Sequence, residues 1–476
     1  METSETKQPA PTFFERNAII IKLMMVGFIS LLLLIPSVMI QNLVIERSES
    51  RDHAVNDIYS KWGQAQTLAG PILNVPYRTL TKDANGKEEI TLDYLHFLPE
   101  RLDVKGNINP SIRYYGIYEA ILYNGKLNFS GNFITPDLNG LKVVPESISW
   151  KDAFISIDIS DLRGIKETVL VNLNDKAYTV NPGIERGGVF DSGLSIPFPL
   201  EEGALLQSGV KFGFSINLNG SSKLSFWPLG KETNIQLNSP WSSPSFSGAF
   251  LPESREVTEK GFSAKWKVLE LNRNFPQKWT GDLYSFPNAE EELDAAAMTT
   301  ETREHKAKNA VIDNYSFGVD LLMPVDFYQK VYRSAKYALM FIGLTFTAFF
   351  FIELVNKKRI HPVQYILVGF ALVIFYTLLL SFTEHLSFGI AYSIASAATI
   401  LLITWFSGTV LKSRGLSILM GSLLSALYLF LYILLQMEDY ALLIGSIGLF
   451  VILGLVMFIS RRVDWYDFRK PEVQTN

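Results

Sequence analysis

Between residues 338 and 460 the chain carries five long apolar runs, 338–355, 363–382, 388–411, 416–437 and 441–460, parted by breaks of a few polar residues. Each run is close to the about 20 residues that an α-helix needs to cross the hydrocarbon core of a bilayer. A backbone in lipid must satisfy its own hydrogen bonds, and these runs lack the period-2 alternation of a barrel strand, so they read as transmembrane helices. The breaks alternate in sign. They are Lys357, Lys358 and Arg359, then Glu384 and His385, then Lys412 and Arg414, then Glu438 and Asp439, and last Arg461 and Arg462. Because Lys and Arg are retained on the cytoplasmic side during insertion, the basic turns are expected inside and the acidic turns outside. The buried bundle of a soluble protein would not give five such runs with alternating turns.

The N-terminal part fits the same scheme. Residues 1–18 read as a polar cytoplasmic tail and 19–45 as a first transmembrane helix, with Lys22 at its inner edge and Pro36 placed to kink it. This run exceeds the 7–15-residue core of a cleavable signal and offers no small-x-small cleavage site, so it is expected to stay as a signal anchor. One outward crossing puts residues 46–336 outside the cytoplasm. Residues 337–460 then form the five-helix membrane domain and 461–476 a second cytoplasmic tail. Both termini are expected to be cytoplasmic and the large domain to lie in the periplasm or its equivalent.

That large domain begins with helical spacing over 41–61, read as a stalk continuing the first span. From Trp62 the pattern turns to strands: 147–157, 210–217, 223–227, 234–237 and 261–271 alternate apolar and polar residues and are rich in β-branched and aromatic types. Ala84-Asn85-Gly86, Asn124-Gly125, Asn139-Gly140, Pro182-Gly183 and Asn219-Gly220 read as turns between them. Many short strands without interleaved helices argue for an all-β, antiparallel, sandwich-like domain. Residues 289–308, charged and alanine-rich, stand out as an exposed insertion, and His305 within it reads as solvated.

Signs of chemistry are scarce. The chain has no cysteine, which excludes disulfides, thiolate metal sites and a cysteine nucleophile. Its net charge of −4 leaves no footprint for nucleic acid. No phosphate-binding loop, nucleophile elbow, zinc-protease helix or dinucleotide fingerprint is present. The five histidines, His53, His96, His305, His361 and His385, are too dispersed for metal-ligand spacing. No cofactor, metal or catalytic residue is expected. Ionisable residues at the spans are the remaining functional candidates, because charge in lipid is costly. Glu353 and His361 fall at the inner end, and Glu384, His385, Glu438 and Asp439 at the outer end. Glu384 and His385 are expected to meet Arg333 or Lys336. The small and hydroxyl stripes Gly389, Ser393, Ala397 and Thr404, and Gly421, Ser425, Tyr428, Tyr432 and Gln436, are expected to serve helix packing.

Several stretches resemble the CreD family of bacterial inner-membrane proteins. They are WGQAQTLAGPILNVPY (62–77), HFLPERLDVKG (96–106), YYGIYEAILY (114–123), LSFWPLGKETNIQLNSPWSSPSFSGAFLP (224–252) and GFSAKWKVLELNRNFPQKW (261–279). The series goes on with FGVDLLMPVDFY (317–328), KYALMFIGLTF (336–346), HPVQYILVGFAL (361–372) and LSFTEHLSFGIAYSIAS (380–396). Together they cover nearly the whole chain except 289–308 and the residues after Arg462. The residues carrying the likeness include Trp62, Gly63, Gly70, Pro71, Pro76, Pro240, Trp241, His361 and Pro362. The resemblance implies a cell-envelope integrity protein tied to a stress-responsive two-component regulon, colicin tolerance and the β-lactam response. It implies no enzymatic activity.

Residue pattern and resemblance together lead to the expectation of a non-enzymatic envelope protein: a bilayer-embedded bundle anchoring a periplasmic domain that binds or braces an unknown envelope partner. Aromatics near Gly70-Pro71, Trp227-Pro228 and Ser239-Pro240-Trp241 would serve either an exposed binding surface or the core. The alternative is an ion- or proton-coupled transporter using Glu384 and His385. It is the weaker expectation because no inverted repeat is evident. A membrane hydrolase would need a nucleophile and base that the sequence does not offer.

Overall fold

The computed structural model describes residues 18–82, 88–134, 138–141, 143–184, 189, 192–200, 209–281, 284–285, 310–311, 315–323, 327–356, 358, 360–437 and 440–461. It divides into two compact units, one comprising 1–52 and 325–476 and the other 53–324.

The first unit is helical. Its elements are α1 (Ala18–Leu32), α2 (Leu34–Trp62, of which the residues from His53 on belong to the second unit), α3 (Phe327–Lys336), α4 (Ala338–Val355), α5 (Pro362–Thr383), α6 (Phe388–Leu411), α7 (Arg414–Gln436) and α8 (Ala441–Ser460). Six helical segments are long and apolar enough to cross a membrane: 20–62, formed by α1 and α2, and α4 to α8. The helix breaks for one residue at Leu33, three before Pro36. The pyrrolidine ring there takes away a donor and crowds the carbonyl four residues back, which is Leu32. Leu33, fully buried, packs so closely on Gly369 of α5 that a Cβ there would lie 2.1 Å from its Cδ1. The sequence reading did not separate α3, whose buried face carries Tyr328, Val331, Ser334 and Ala335.

The second unit is built on two large sheets. Its strands are β1 (Gln66–Lys82), β2 (Glu88–Phe97), β3 (Arg101–Tyr115), β4 (Tyr118–Phe133), β5 (Phe154–Ile159), β6 (Leu170–Leu173), β7 (Lys176–Thr179), β8 (Asn181–Pro182), β9 (Leu194–Pro197) and β10 (Val210–Ser221). There follow β11 (Lys223–Phe226), β12 (Glu232–Ser239), β13 (Pro244–Gly248), β14 (Ser254–Thr258), β15 (Gly261–Leu269), β16 (Lys278–Thr280), β17 (Tyr284–Ser285), β18 (Ala310–Val311) and β19 (Phe317–Leu321). One sheet runs β13-β19-β11-β1-β5-β9-β8, with β2 on the far half of β1 and β16 on β2; the other runs β14-β15-β12-β3-β4-β10-β6-β7. β17 and β18 pair on their own.

Most pairings are antiparallel, as the sequence suggested, but β1 with β11, β12 with β3 and the short β17 with β18 are parallel. β1 serves two sets of neighbours because its register with β5 shifts between Ala69 and Ile72. Gly70, at φ +116°, sits at that shift, where a Cβ would come within 3.0 Å of the Ser156 carbonyl oxygen. The two inner faces share one core, in which Leu73, Val75 and Phe97 meet Val104, Phe129 and Trp266. Phe129 and Phe214 stack with centroids 4.7 Å apart. A second cluster, with Ile72, Trp227, Phe275 and Trp279, covers the opposite face of the first sheet.

Three local expectations change. The run 147–157 opens with two short 3-10 turns, Pro145–Ser147 and Trp150–Asp152, with a single bridge from Ile148 to Tyr77, and forms a strand only from Phe154 on. Asn124-Gly125 lies inside β4, paired with Asn109-Ile108 on one side and Asn219-Leu218 on the other, and Asn219-Gly220 is likewise within β10. The reversal after β10 falls at Ser222, at φ +48°. Asn139-Gly140 and Pro182-Gly183 do turn, with φ +84° and +88° at their glycines. Ala84-Asn85-Gly86, residues 289–308 with His305, and residues after Arg461 lie outside the described residues, as do 1–17.

Candidate functional site

The one ion pair that links two of the long helical segments, among the described residues, joins α1 to α4. Lys22 and Glu353 interrupt two otherwise apolar helices, and the Lys22 ammonium donates to Glu353 Oε1. The chain leaving α4 folds back so that the Ile360 N–H also donates to Oε1 at 3.0 Å, while the Ile360 carbonyl accepts from Lys22 at 3.1 Å. Tyr365 of α5 donates to Oε2 at 3.2 Å, its ring held edge-on by Phe346 and Phe349. Glu353 is 7% exposed. A carboxylate taken out of water needs such partners, since an unpaired charge in that setting costs several kcal/mol. With an ammonium, a backbone N–H and a phenol on its two oxygens, it is nearly saturated. The arrangement fixes three helices to one another and leaves Glu353 little capacity for a mobile ion. Neighbouring His361 caps α5: its ring accepts from the Val363 N–H, Gln364 reaches back to the His361 N–H, and Pro362 opens the helix.

At the other end of the bundle, Glu384 sits at the C-cap of α5, half-buried, and His385 is exposed. No ion pair links either to Arg333 or Lys336 among the described residues. Lys336 instead lies over the Tyr332 ring, and Lys330 bonds Gln436 at 3.3 Å. Glu384 Oε1 is buried with no hydrogen-bond partner. Glu438 and Asp439 lie outside the described residues.

The small and hydroxyl stripes are packing features. A Cβ on Gly421 would meet Thr404 Oγ1 at 2.6 Å, so α6 and α7 are in close approach there. Ser393, Thr399, Ser407, Ser417 and Ser425 each return a hydrogen bond to the carbonyl four residues back. Hydroxyls spent on their own helix do not line a polar path.

In the β unit, the residues carrying the family likeness are structural. Gly63, at φ +142°, approaches the Asn219 carbonyl, and the Lys166 ammonium lies over the Trp62 ring. Gly70 and Pro71 are buried, the Pro76 carbonyl accepts from Ser149, and Trp227 is 3% exposed. Trp241, beside Pro240, packs half-buried against the core and donates Nε1–H to the Leu322 carbonyl at 3.2 Å. Of these aromatics Trp227 lies in the core, and Trp241 packs against it while keeping part of its surface exposed.

A polar row crosses the first sheet on its covered face. Asn74 donates to Ser156 Oγ at 2.8 Å, and its Oδ1 is 2.8 Å from His96 Nδ1. Trp279 lies over the imidazole at 5.2 Å. Burial disfavours the charged ring and lowers the His96 pKa to about 3. His96 is therefore neutral, and its donor-acceptor pattern is set by Asn74. The sequence showed His96 only as an isolated histidine.

The outer face of the second sheet ends in an open groove of about 450 Å³, whose lining includes Asn107, Asn238, Pro240, Glu256, Thr258 and Lys260. That volume falls within the about 300–1,000 Å³ range of small-molecule sites. Among the described residues no group of three or more His, Asp or Glu side chains is placed to hold a metal ion.

Helices of bilayer length, an internal ion pair and a two-sheet unit encoded between the first and second spans define a multi-pass membrane protein. The chain belongs to the CreD family: residues 18–466 match the family described as inner membrane protein CreD. It is 35% identical over 451 residues to Inner membrane protein CreD of Escherichia coli (strain K12), covering 94% of this chain and 93% of that protein. It is accordingly an inner-membrane protein of the envelope.

Proposed function

We propose that this protein supports cell-envelope integrity and stress tolerance without catalysing a reaction, and that its β unit faces the periplasm and binds or braces an envelope component. Both termini are cytoplasmic in this reading, which follows from the alternating turn charges. The observation that carries it is the contrast in polar chemistry. Most serine and threonine hydroxyls of the spans bond their own helices and Lys22 and Glu353 bond each other, with Thr345, Thr404 and Glu384 Oε1 left without a partner, whereas the β unit presents a broad polar face with a groove. A test is complementation in cells lacking the protein, challenged with a detergent or a cell-wall antibiotic. The full chain restores tolerance, and a chain with 66–323 replaced by a short linker, checked for membrane insertion, does not. Full rescue by the helical unit alone would overturn the proposal.

Glu384 Oε1, buried and unpartnered, supports one second reading, an ion- or proton-coupled transporter using Glu384 and His385. Glu384→Gln with His385→Asn would abolish function on that reading and leave tolerance intact on the first.

A further inference from the structure

The outer face of the second sheet is made of residues that strands usually avoid. Along β12 the solvent-side positions are Asn234, Gln236 and Asn238; along β10 they are Ser215 and Asn217. β3 adds Asp103, Lys105, Asn107 and Asn109, and β4 adds Asn124, Lys126, Asn128 and Ser130. The intervening residues, such as Ile235, Leu237, Leu127 and Ile216, are buried in the core. Register sets these side chains in rows across the sheet, for example Ser263, Asn238, Asn107, Lys126 and Asn217 on five successive strands. Asn is depleted in strands, and a solvated face needs only Thr, Lys or other ordinary polar residues, so so many amides oppose local propensity. Positions that break a local preference without a packing gain are where function is expected.

The amides are also held in place. Asn124 donates to Asn217 Oδ1 at 2.7 Å, Asn234 to Asp103 at 3.0 Å, and Ser215 to Asn128 Oδ1 at 2.7 Å. Asn238 donates to Asn107 Oδ1 at 3.4 Å. An amide has two donor hydrogens and two acceptor sites. Asn107 and Asn128 accept sideways at Oδ1, which orients the side chain and keeps each NH₂ for a ligand. Rows recur about every 6.7 Å along a strand and about 4.8 Å across the sheet, a grid of donors and acceptors on a broad face. The charge on this face is also biased. Arg101 pairs with Asp103 and Lys267 with Glu232; Lys105, Lys126, Lys211 and Lys265 remain exposed without an ion pair among the described residues, against Glu256 in the groove and Glu167, which accepts from Asn217.

We propose that this face and its groove bind a linear glycan whose sugars carry acetamido and carboxylate groups. Amide side chains match hydroxyl and acetamido groups in both donor and acceptor sense, the lysines match the carboxylates, and the groove takes the end of the chain. The proposal rests on the reading that the β unit engages an envelope component and names the chemistry of that component.

The test uses the full chain in detergent or nanodiscs and three oligosaccharides: hyaluronan decasaccharide, with both groups; chitohexaose, with acetamido alone; and oligogalacturonate, with carboxylate alone. Hyaluronan is expected to bind at least tenfold tighter than either of the others. Asn107→Ala with Asn238→Ala should weaken it at least tenfold, and Lys105→Gln with Lys126→Gln should weaken hyaluronan but not chitohexaose. A melting temperature within about 2 °C of the parent shows that each variant is folded. Absence of hyaluronan binding by the parent, equal binding of the three glycans, or binding unmoved in the folded variants would each overturn the proposal. Loss of tolerance on deleting 66–323, together with no glycan binding, would reject the glycan while keeping the proposed function. Glycan binding with full rescue by the helical unit would do the reverse.

Discussion

The helical and β units treat their polar groups in opposite ways. In the helical unit Lys22, Glu353 and Tyr365 close on one another, and serines such as Ser407 and Ser417 bond their own helix carbonyls at 2.6 and 3.0 Å. In the β unit the covered network of Asn74, His96 and Ser156 is satisfied internally as well, but the outer sheet face sets many amides in open rows. A bilayer gives an unmade hydrogen bond no water to fall back on, and the helical unit turns most of its polar groups on itself, Thr345, Thr404 and Glu384 Oε1 being buried exceptions. A sheet face in water can hold hydrogen-bonding capacity in reserve. Recognition is therefore expected of the β unit and anchorage of the helical one.

The largest expected effect is on the β core. Trp266→Ala, which removes a side chain 2% exposed between the sheets, should cost about 4 kcal/mol of β-unit stability, measured by denaturant unfolding. A much smaller loss would mean that the two sheets do not share one core.

Next is the intramembrane pair. Glu353→Gln or Lys22→Met alone should cost about 3 kcal/mol, near the lower end for breaking a buried pair because the Lys22 side chain keeps 23% exposure. The double variant should recover most of that loss in thermal unfolding of the solubilised protein. Additive losses would show that the two residues act separately.

Acid provides a third handle. His96 titrates near 6.5 in the unfolded chain and near 3 when folded. The unfolded state thus takes up the proton first, so the contribution of neutral His96 is complete above about pH 6.5 and is lost as the pH falls towards 3. The slope is about 1.4 kcal/mol per pH unit. The difference in stability between the parent and His96→Gln, followed from pH 7 to 4, should shrink by this amount. A constant difference would contradict the buried neutral imidazole.

The smallest effect belongs to the exposed pair Lys61 and Asp57, one turn apart on α2. Lys61→Ala should leave the melting temperature of the solubilised protein unmoved, because an exposed pair is screened by water and salt.

The helical unit was the more legible of the two in sequence. The apolar runs 338–355, 388–411 and 441–460 coincide with α4, α6 and α8, because in lipid helix length and composition are tied to bilayer thickness. Lys22 and Glu353 were each visible as lone charges, but which spans touch is a property of packing and not of hydropathy. The sandwich character of the β unit was legible from alternation. The parallel pairings of β1 with β11 and β3 with β12 were not, since they join segments more than a hundred residues apart. Asn124-Gly125 misled as a turn because the chemistry that favours turns also builds an amide row, and only the register of β3, β4 and β10 separates the two. Glu384 stands at the end of α5, where its place after an apolar run suggested, but Arg333 and Lys336 form an ion pair with neither it nor His385 among the described residues.

The central claim is that the two units lie in different environments, and the absence of native cysteine makes it directly measurable. Single cysteines are introduced as Ser254→Cys, on exposed β14, and as Lys358→Cys, in the first basic turn of the bundle. Cells with a permeabilised outer membrane are then treated with a membrane-impermeant maleimide. Labelling at 254 in intact spheroplasts, with 358 labelled only after lysis, is the predicted result. Labelling at 358 from outside, or protection of 254 until lysis, would contradict the account.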